Sequence, residues 1–201
     1  MTLNYSTMTQ KKICFQLDVT KKIKIKIDEN FRILYVNDYY TEISGFKVSE
    51  IILKPFDSIL DATMPKITMD LFEKTTDDFS KFYFVIKGKI KNNNCFWSFI
   101  KVTRMFNKYQ EFSGYLLEGK LLPSNAIQQI EKMFSILTEI ENNAGKDAAL
   151  KYINGYLEEK NMNFNDFVLA IAEVNEKKAE KYFEIDVDAS TGKKKKKRSW
   201  F

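Results

Sequence analysis

The chain contains no histidine. That absence excludes a histidine phosphoacceptor, a Ser-His-Asp triad, a histidine-ligated haem and the usual zinc sites. Cysteine is scarce as well. Cys14 and Cys95 are the two, too few for a four-thiolate metal site. They predict a reducing compartment and no disulfide framework. No apolar run approaches the roughly 20 residues of a membrane helix, and Met1 to Asp18 lacks the apolar stretch of a signal peptide. These absences predict a cytoplasmic protein. A glycine-rich phosphate loop is missing too, and no carboxylates are spaced as an acid–base pair, so no enzyme is expected.

What is present is apolar and aromatic. Hydrophobic residues make up 44% of the 201 and aromatics 14%, enough for one domain of about 100–150 residues plus an extension. The net charge of +5 is concentrated at one end. Lys193 to Lys197 with Arg198 carry six positive charges, leaving −1 for the remainder. A nucleic-acid-binding fold would carry its basic face on the folded part, so no nucleic-acid partner is expected.

Residues 1–21 show no clear period and are read as a loose N-terminal cap. Ile23, Ile25 and Ile27 then alternate with Lys22, Lys24 and Lys26, the pattern of a half-buried strand. Asp28-Glu29-Asn30 is turn chemistry, and Ile33 to Val36 is the partner strand. Short helical pieces follow as far as about Leu60. Pro65 can open a longer helix with Ile67, Leu71 and Phe72 on its apolar stripe. Three strands come next: Phe82 to Lys91, Phe96 to Met105 and Phe112 to Glu118, the first two joined at Asn92-Asn93-Asn94.

The densest signal is Tyr35-Val36-Asn37-Asp38-Tyr39-Tyr40-Thr41-Glu42-Ile43-Ser44-Gly45-Phe46. Asn37 is a helix cap, Tyr39, Tyr40, Ile43 and Phe46 share one face, and Gly45 suits a left-handed helix end. This run resembles the first strand-to-helix crossing of a PAS sensor domain, closest to the bacterial aerotaxis (energy-taxis) type. The resemblance covers about residues 22–120 and includes Met64-Pro65 and Trp97. It implies an α+β PAS fold, a five-stranded antiparallel sheet with short helices on one face. It also implies a signalling role: a sensor or relay of a redox, energy or small-molecule signal to a chemotaxis-type pathway. A ligand-free PAS adaptor is the alternative.

Aerotaxis PAS domains hold FAD, so the resemblance also implies a binding site. Its candidates here are Asn37, Tyr40, Phe46, Asp61, Met64, Phe72 and Trp97. The family segment Arg-His-Pro-Asp-Met-Pro corresponds to Leu60-Asp61-Ala62-Thr63-Met64-Pro65. Leu60 and Asp61 replace the two cationic positions. Each charge-assisted hydrogen bond lost is worth roughly 1.5–3 kcal/mol, so flavin affinity should fall by about two orders of magnitude. Asn94-Cys95-Phe96 is similar to the flavin-reactive cysteine motif of light-sensing relatives. It lies at a hairpin after the long helix rather than on a helix, and Cys95 is expected to be a half-buried thiol.

Beyond the sheet, a helical extension is expected over 123–183. Ile127, Ile130, Phe134, Leu137 and Ile140 mark a first helix that Gly145 breaks. Tyr152, Ile153, Tyr156 and Leu157 mark a second. Asn163 or Asn165 caps a third, with Phe167, Val168, Ile171 and Val174 on its apolar side. The first stripe is too apolar for water. It predicts packing on a second copy, as a homo-oligomer, or on a chemoreceptor or other signalling partner. Packing back onto its own sheet is the other outcome. Residues 184–201 read as a basic disordered tail. Three roles are open to it: solvation alone, peripheral contact with anionic lipid at the inner face of the membrane through Trp200 and Phe201, or an acidic receptor face.

Overall fold

The structure, a computed structural model, describes residues 12–184. The basic tail and the first eleven residues lie outside that range. Six strands form one sheet: β1 (Cys14–Phe15), β2 (Ile23–Ile27), β3 (Ile33–Val36), β4 (Lys81–Ile90), β5 (Asn94–Phe106) and β6 (Phe112–Leu121). Three helices fall between β3 and β4: α1 (Asp38–Ser44), α2 (Val48–Ile51) and α3 (Ile67–Asp78). Four follow β6: α4 (Ser124–Ala144), α5 (Lys146–Glu159), α6 (Phe164–Ile171) and α7 (Glu176–Glu184).

In space the strands run β3-β2-β6-β5-β4, each antiparallel to its neighbour. This is the α+β PAS arrangement that the sequence predicts, followed by a helical extension. The N-terminal segment departs from expectation. In its described part, β1 adds in parallel to the start of β5, with Cys14 opposite Cys95 and Phe15 opposite Phe96. It takes the side of β5 that β6 leaves open, because β6 pairs with β5 only from Ser98 onward. Leu17 is buried and the Asp18 N–H donates to Tyr39 Oη at 2.6 Å, which ties the same segment to α1.

Strand alternation separates two faces. Ile23, Ile25 and Ile27 are fully buried on the inner face, while Lys24 and Lys26 are exposed. On the inner face Phe72 of α3 meets Phe82, Phe84 and Tyr115 of the sheet, and Tyr40 of α1 meets Phe96. The outer face is covered by the C-terminal helices. Phe134 of α4 packs on Trp97, and Phe183 of α7 packs on Tyr83 and Phe99. The stripe Ile130, Phe134 and Leu137 is therefore buried within the chain, with Ile127 and Ile140 half-buried. Packing back onto its own sheet accounts for the burial of this stripe.

Two devices fix the helical cover. Asn165 of α6 accepts from the Tyr83 N–H at 2.7 Å, satisfying a backbone donor on the edge strand β4. Asn163, two residues earlier, caps α6 by accepting from the Asp166 N–H. At the other end, the last carbonyls of α7 receive two ammonium groups from the sheet. Lys22 donates to the Phe183 carbonyl at 2.8 Å and Lys120 to that of Tyr182 at 2.7 Å. Cations at a helix C-terminus complement its dipole.

Candidate functional site

The inner layer is the place where a PAS-type ligand is expected, so each predicted residue is followed there. Asn37 caps α1, and its side chain makes three hydrogen bonds within the fold. Oδ1 accepts from the Lys24 N–H at 3.0 Å and from Tyr40 N–H at 3.3 Å, while Nδ2 donates to the Lys22 carbonyl at 2.8 Å. It joins α1 to β2, a structural role that uses its oxygen twice and its nitrogen once. Gly45 ends α1 at φ 71°, as its position predicts.

Tyr40 and Phe72 both lie in the inner core, each 1% exposed. Burial pushes the Tyr40 hydroxyl well above its ordinary pKa. Phe72 is the centre of a cluster of rings. Its centroid lies 5.8 Å from Phe31, 5.7 Å from Phe56, 5.5 Å from Phe82 and 5.3 Å from Phe84. Phe96 extends the cluster toward Tyr40, at 6.4 Å. Between sheet and helices the chain's own aromatic side chains pack against one another. Phe46 is half-buried at the end of α1, with the ammonium groups of Lys91 and Lys89 5.5 and 6.0 Å from its ring centroid.

The segment corresponding to the family's flavin motif is bonded to its own surroundings. The Asp61 N–H donates to the Lys87 carbonyl at 2.8 Å, and Met64 Sδ accepts from the Lys87 N–H at 3.2 Å. Asp61 is buried. Its carboxylate pairs with Lys12 and accepts from Thr63 N–H at 3.1 Å and Thr63 Oγ1 at 2.6 Å. Burial alone would raise its pKa, but Lys12 and the two Thr63 bonds outweigh it and hold the carboxyl below its usual range. Where the family motif offers cationic donors to a diphosphate, this segment has Asp61, whose partner cation Lys12 is already engaged. The packed rings and this committed ion pair do not supply what a flavin site needs.

Trp97 does not join the other candidates. Strand alternation sends Phe96 inward and Trp97 outward, where its ring meets Phe134 at 6.0 Å. There it lines a cleft of about 520 Å³ under α4, together with Thr63, Lys87, Glu131, Phe134 and Thr138. Lys87 donates to Thr63 Oγ1 at 3.1 Å and stands 5.2 Å from the Trp97 ring centroid. Trp97 Nε1 is buried and has no hydrogen-bond partner among the described residues.

The cysteines are the largest correction. Cys14 and Cys95 are joined in a disulfide across 81 residues, and Cys95 is fully buried. The expected free, half-buried thiol is absent because β1 brings Cys14 opposite Cys95. Sequence reasoning missed β1, Lys12 and the bonds of Thr63 to Asp61 and Lys87. A two-residue strand carries no readable period, and a lysine 49 residues from its aspartate carries no local signal. Among the described residues, no cluster of cysteine and acidic side chains could hold a metal ion, and no helix is long and apolar enough to cross a membrane.

No protein-family model matches the sequence, and no curated protein matches it. Several solved structures are similar in fold. A light-oxygen-voltage domain described in work with a flavin analogue shares 12% identity at a TM-score of 0.48, over 56% of this chain and 85% of that one. The PAS domain of a protein from Colwellia psychrerythraea shares 14% at 0.43, over 50% and 85%. The light-state light-oxygen-voltage domain of the blue-light photoreceptor Aureochrome1 shares 9% at 0.48, over 55% and 88%. All three are PAS or light-oxygen-voltage domains.

Proposed function

We propose that the chain is a PAS-type sensory module that relays a signal without catalysing a reaction, and that it does so with no flavin inside the domain. The observation that carries this reading is the ring cluster around Phe72, which packs the inner layer from Phe31 to Phe84. A relay needs a path from sheet to output. Helix α4 leaves β6 through Leu122 and Pro123, and Phe134 rests on Trp97 of β5, so a movement of the sheet is transmitted to α4 at two points. The finer reading, a redox or energy signal passed to a chemoreceptor or similar signalling partner in the cytoplasm, is supported by the sequence resemblance over 35–46. A ligand-free adaptor is the second reading, and the packed interior favours it equally.

The test is an absorbance spectrum of freshly purified protein, followed by titration with FAD. The expected protein is colourless, and added FAD elutes apart from it on gel filtration. Stoichiometric flavin that co-elutes with the chain overturns the proposal. A colourless protein in tight complex with a partner, insensitive to any stimulus, selects the adaptor.

A further inference from the structure

We infer that the Cys14–Cys95 disulfide is a redox-cleavable latch: a dithiol reductant opens it, frees the segment before Leu17 from β5, and unsettles the Asp61 loop beneath α4. The effect on α4 rests on the relay reading above. The opening of the latch does not.

The segment has little else to hold it at its far end. Strand β1 is two residues long, shorter than strands that persist unaided. Beyond the two-residue ladder with Cys95 and Phe96, the Cys95 N–H donates to the Ile13 carbonyl at 3.0 Å and the Ile13 N–H to Asn94 Oδ1 at 3.3 Å. Ile13 and Phe15 are 57% and 52% exposed, so their side chains bury little against the sheet. Among the described residues, the ion pair of Lys12 with Asp61 is a further tie. At the near end, Leu17 and the Asp18–Tyr39 bond stay in place and act as the hinge. The disulfide also restricts the unfolded chain by closing a loop across 81 residues, so opening it lowers overall stability as well as freeing the segment.

The exchange chemistry is ordinary. One thiolate of the dithiol attacks Cys14 Sγ, on the less buried of the two residues, and Cys95 leaves as a thiolate and takes up a proton. The second thiol of the reductant then displaces Cys14 from the mixed disulfide. The chain gains two electrons and two protons, and the dithiol becomes a disulfide.

Opening has a consequence at Asp61. When Lys12 leaves, a buried carboxylate loses a cation, a costly arrangement that drives the loop toward water. Asp61 holds Thr63 by two hydrogen bonds, Thr63 Oγ1 accepts from Lys87, Lys87 stands over Trp97, and Trp97 supports Phe134 of α4. The contacts run without a gap from the disulfide to the helix that leaves the sheet. A redox signal could then enter through this pair of cysteines and not through a flavin.

Alkylation mass spectrometry and hydrogen–deuterium exchange on the full chain test the latch, with and without dithiothreitol. The oxidised protein should carry no alkylatable thiol under native conditions, and the reduced protein two. Reduction should speed amide exchange in residues 12–16 and 60–64 by about tenfold or more, leaving β2 and β6 unchanged. Cys14→Ser should show the fast rates with or without reductant, with an unchanged far-ultraviolet spectrum as evidence that it folds. Two free thiols in air-purified protein, or unchanged exchange after reduction, overturns the latch. Faster exchange in 12–16 with α4 unchanged overturns the link to α4. Flavin uptake, which would defeat the flavin-free reading of the domain, is seen in the absorbance spectrum and leaves the exchange result standing.

Discussion

Asn165 and Tyr83 are 82 positions apart, yet the Asn165 carboxamide oxygen accepts the Tyr83 backbone N–H at 2.7 Å with both residues buried. Strand β4 pairs with β5 on one side, while its other side is bridged by Leu60 at Gly88, so this bond satisfies one donor of a largely open sheet edge. The helical extension is thus part of the sheet's own closure. Asn165→Leu removes the acceptor and leaves a buried N–H unpaired. The expected loss is about 1–3 kcal/mol in urea unfolding, with greater aggregation because the edge is exposed. A loss within error would show that α6 holds β4 by apolar contact alone.

A second close approach tests the inner layer. A Cβ at Gly88 would fall 2.1 Å from Phe96 Cζ, so the Phe96 ring lies across the bare backbone of β4. Gly88→Ala should cost about 1–3 kcal/mol by overpacking. Combining it with Phe96→Leu, which withdraws the ring, should cost less than the sum of the two single changes. Strict additivity in thermal unfolding would mean that the two residues do not share this space.

Much of the sheet was legible from residue pattern. The Ile23-Ile25-Ile27 alternation, the Asn37 cap and the Gly45 stop are local signals, and each appears where its physics places it. The same alternation should have separated Trp97 from Tyr40 and Phe72, because Phe96 and Trp97 are adjacent in one strand and face opposite sides. Grouping them by aromatic character hid that. The latch was not legible. Cys14 to Cys95 and Lys12 to Asp61 are long-range pairings made by a strand of two residues, and nothing local in the sequence marks them. Helix α7 was hidden in the same way. Its hold on the sheet comes from Lys22 and Lys120, which in sequence look like ordinary solvent-facing lysines.

Acid should weaken the outer face through Glu118. Burial pushes its pKa up, but Lys101 at 3.0 Å and Lys22 at 3.1 Å outweigh that and hold it below the usual range. A depressed folded-state pKa contributes stability above the unfolded value of about 4.3, and that contribution is lost as pH falls through the folded value. Thermal unfolding temperature should therefore drop on acidification below about pH 4.3. Glu118→Gln should be less stable at neutral pH and less sensitive to acid. A mutant with the wild-type acid slope would place the titrating groups elsewhere.

Trp97 offers a direct reading of the contact between sheet and α4. Its indole is buried against Phe134 at 6.0 Å, and both residues are 4% exposed. Because α4 buries Phe134 within its own chain, Phe134→Ala should destabilise the protein by about 3–5 kcal/mol, whatever its effect on association. Trp97→Phe keeps a ring in place and should cost much less. The double variant then measures the coupling, expected at about 0.5–1.5 kcal/mol for a packed aromatic pair. Fluorescence gives the independent check. The sequence has one other tryptophan, Trp200, so Trp200→Phe leaves Trp97 as the reporter. In that background Phe134→Ala should shift the emission to the red as water reaches the indole. If emission stays unchanged and the coupling is zero, α4 does not rest on Trp97, and the path from sheet to helix must run through Leu122 and Pro123 alone.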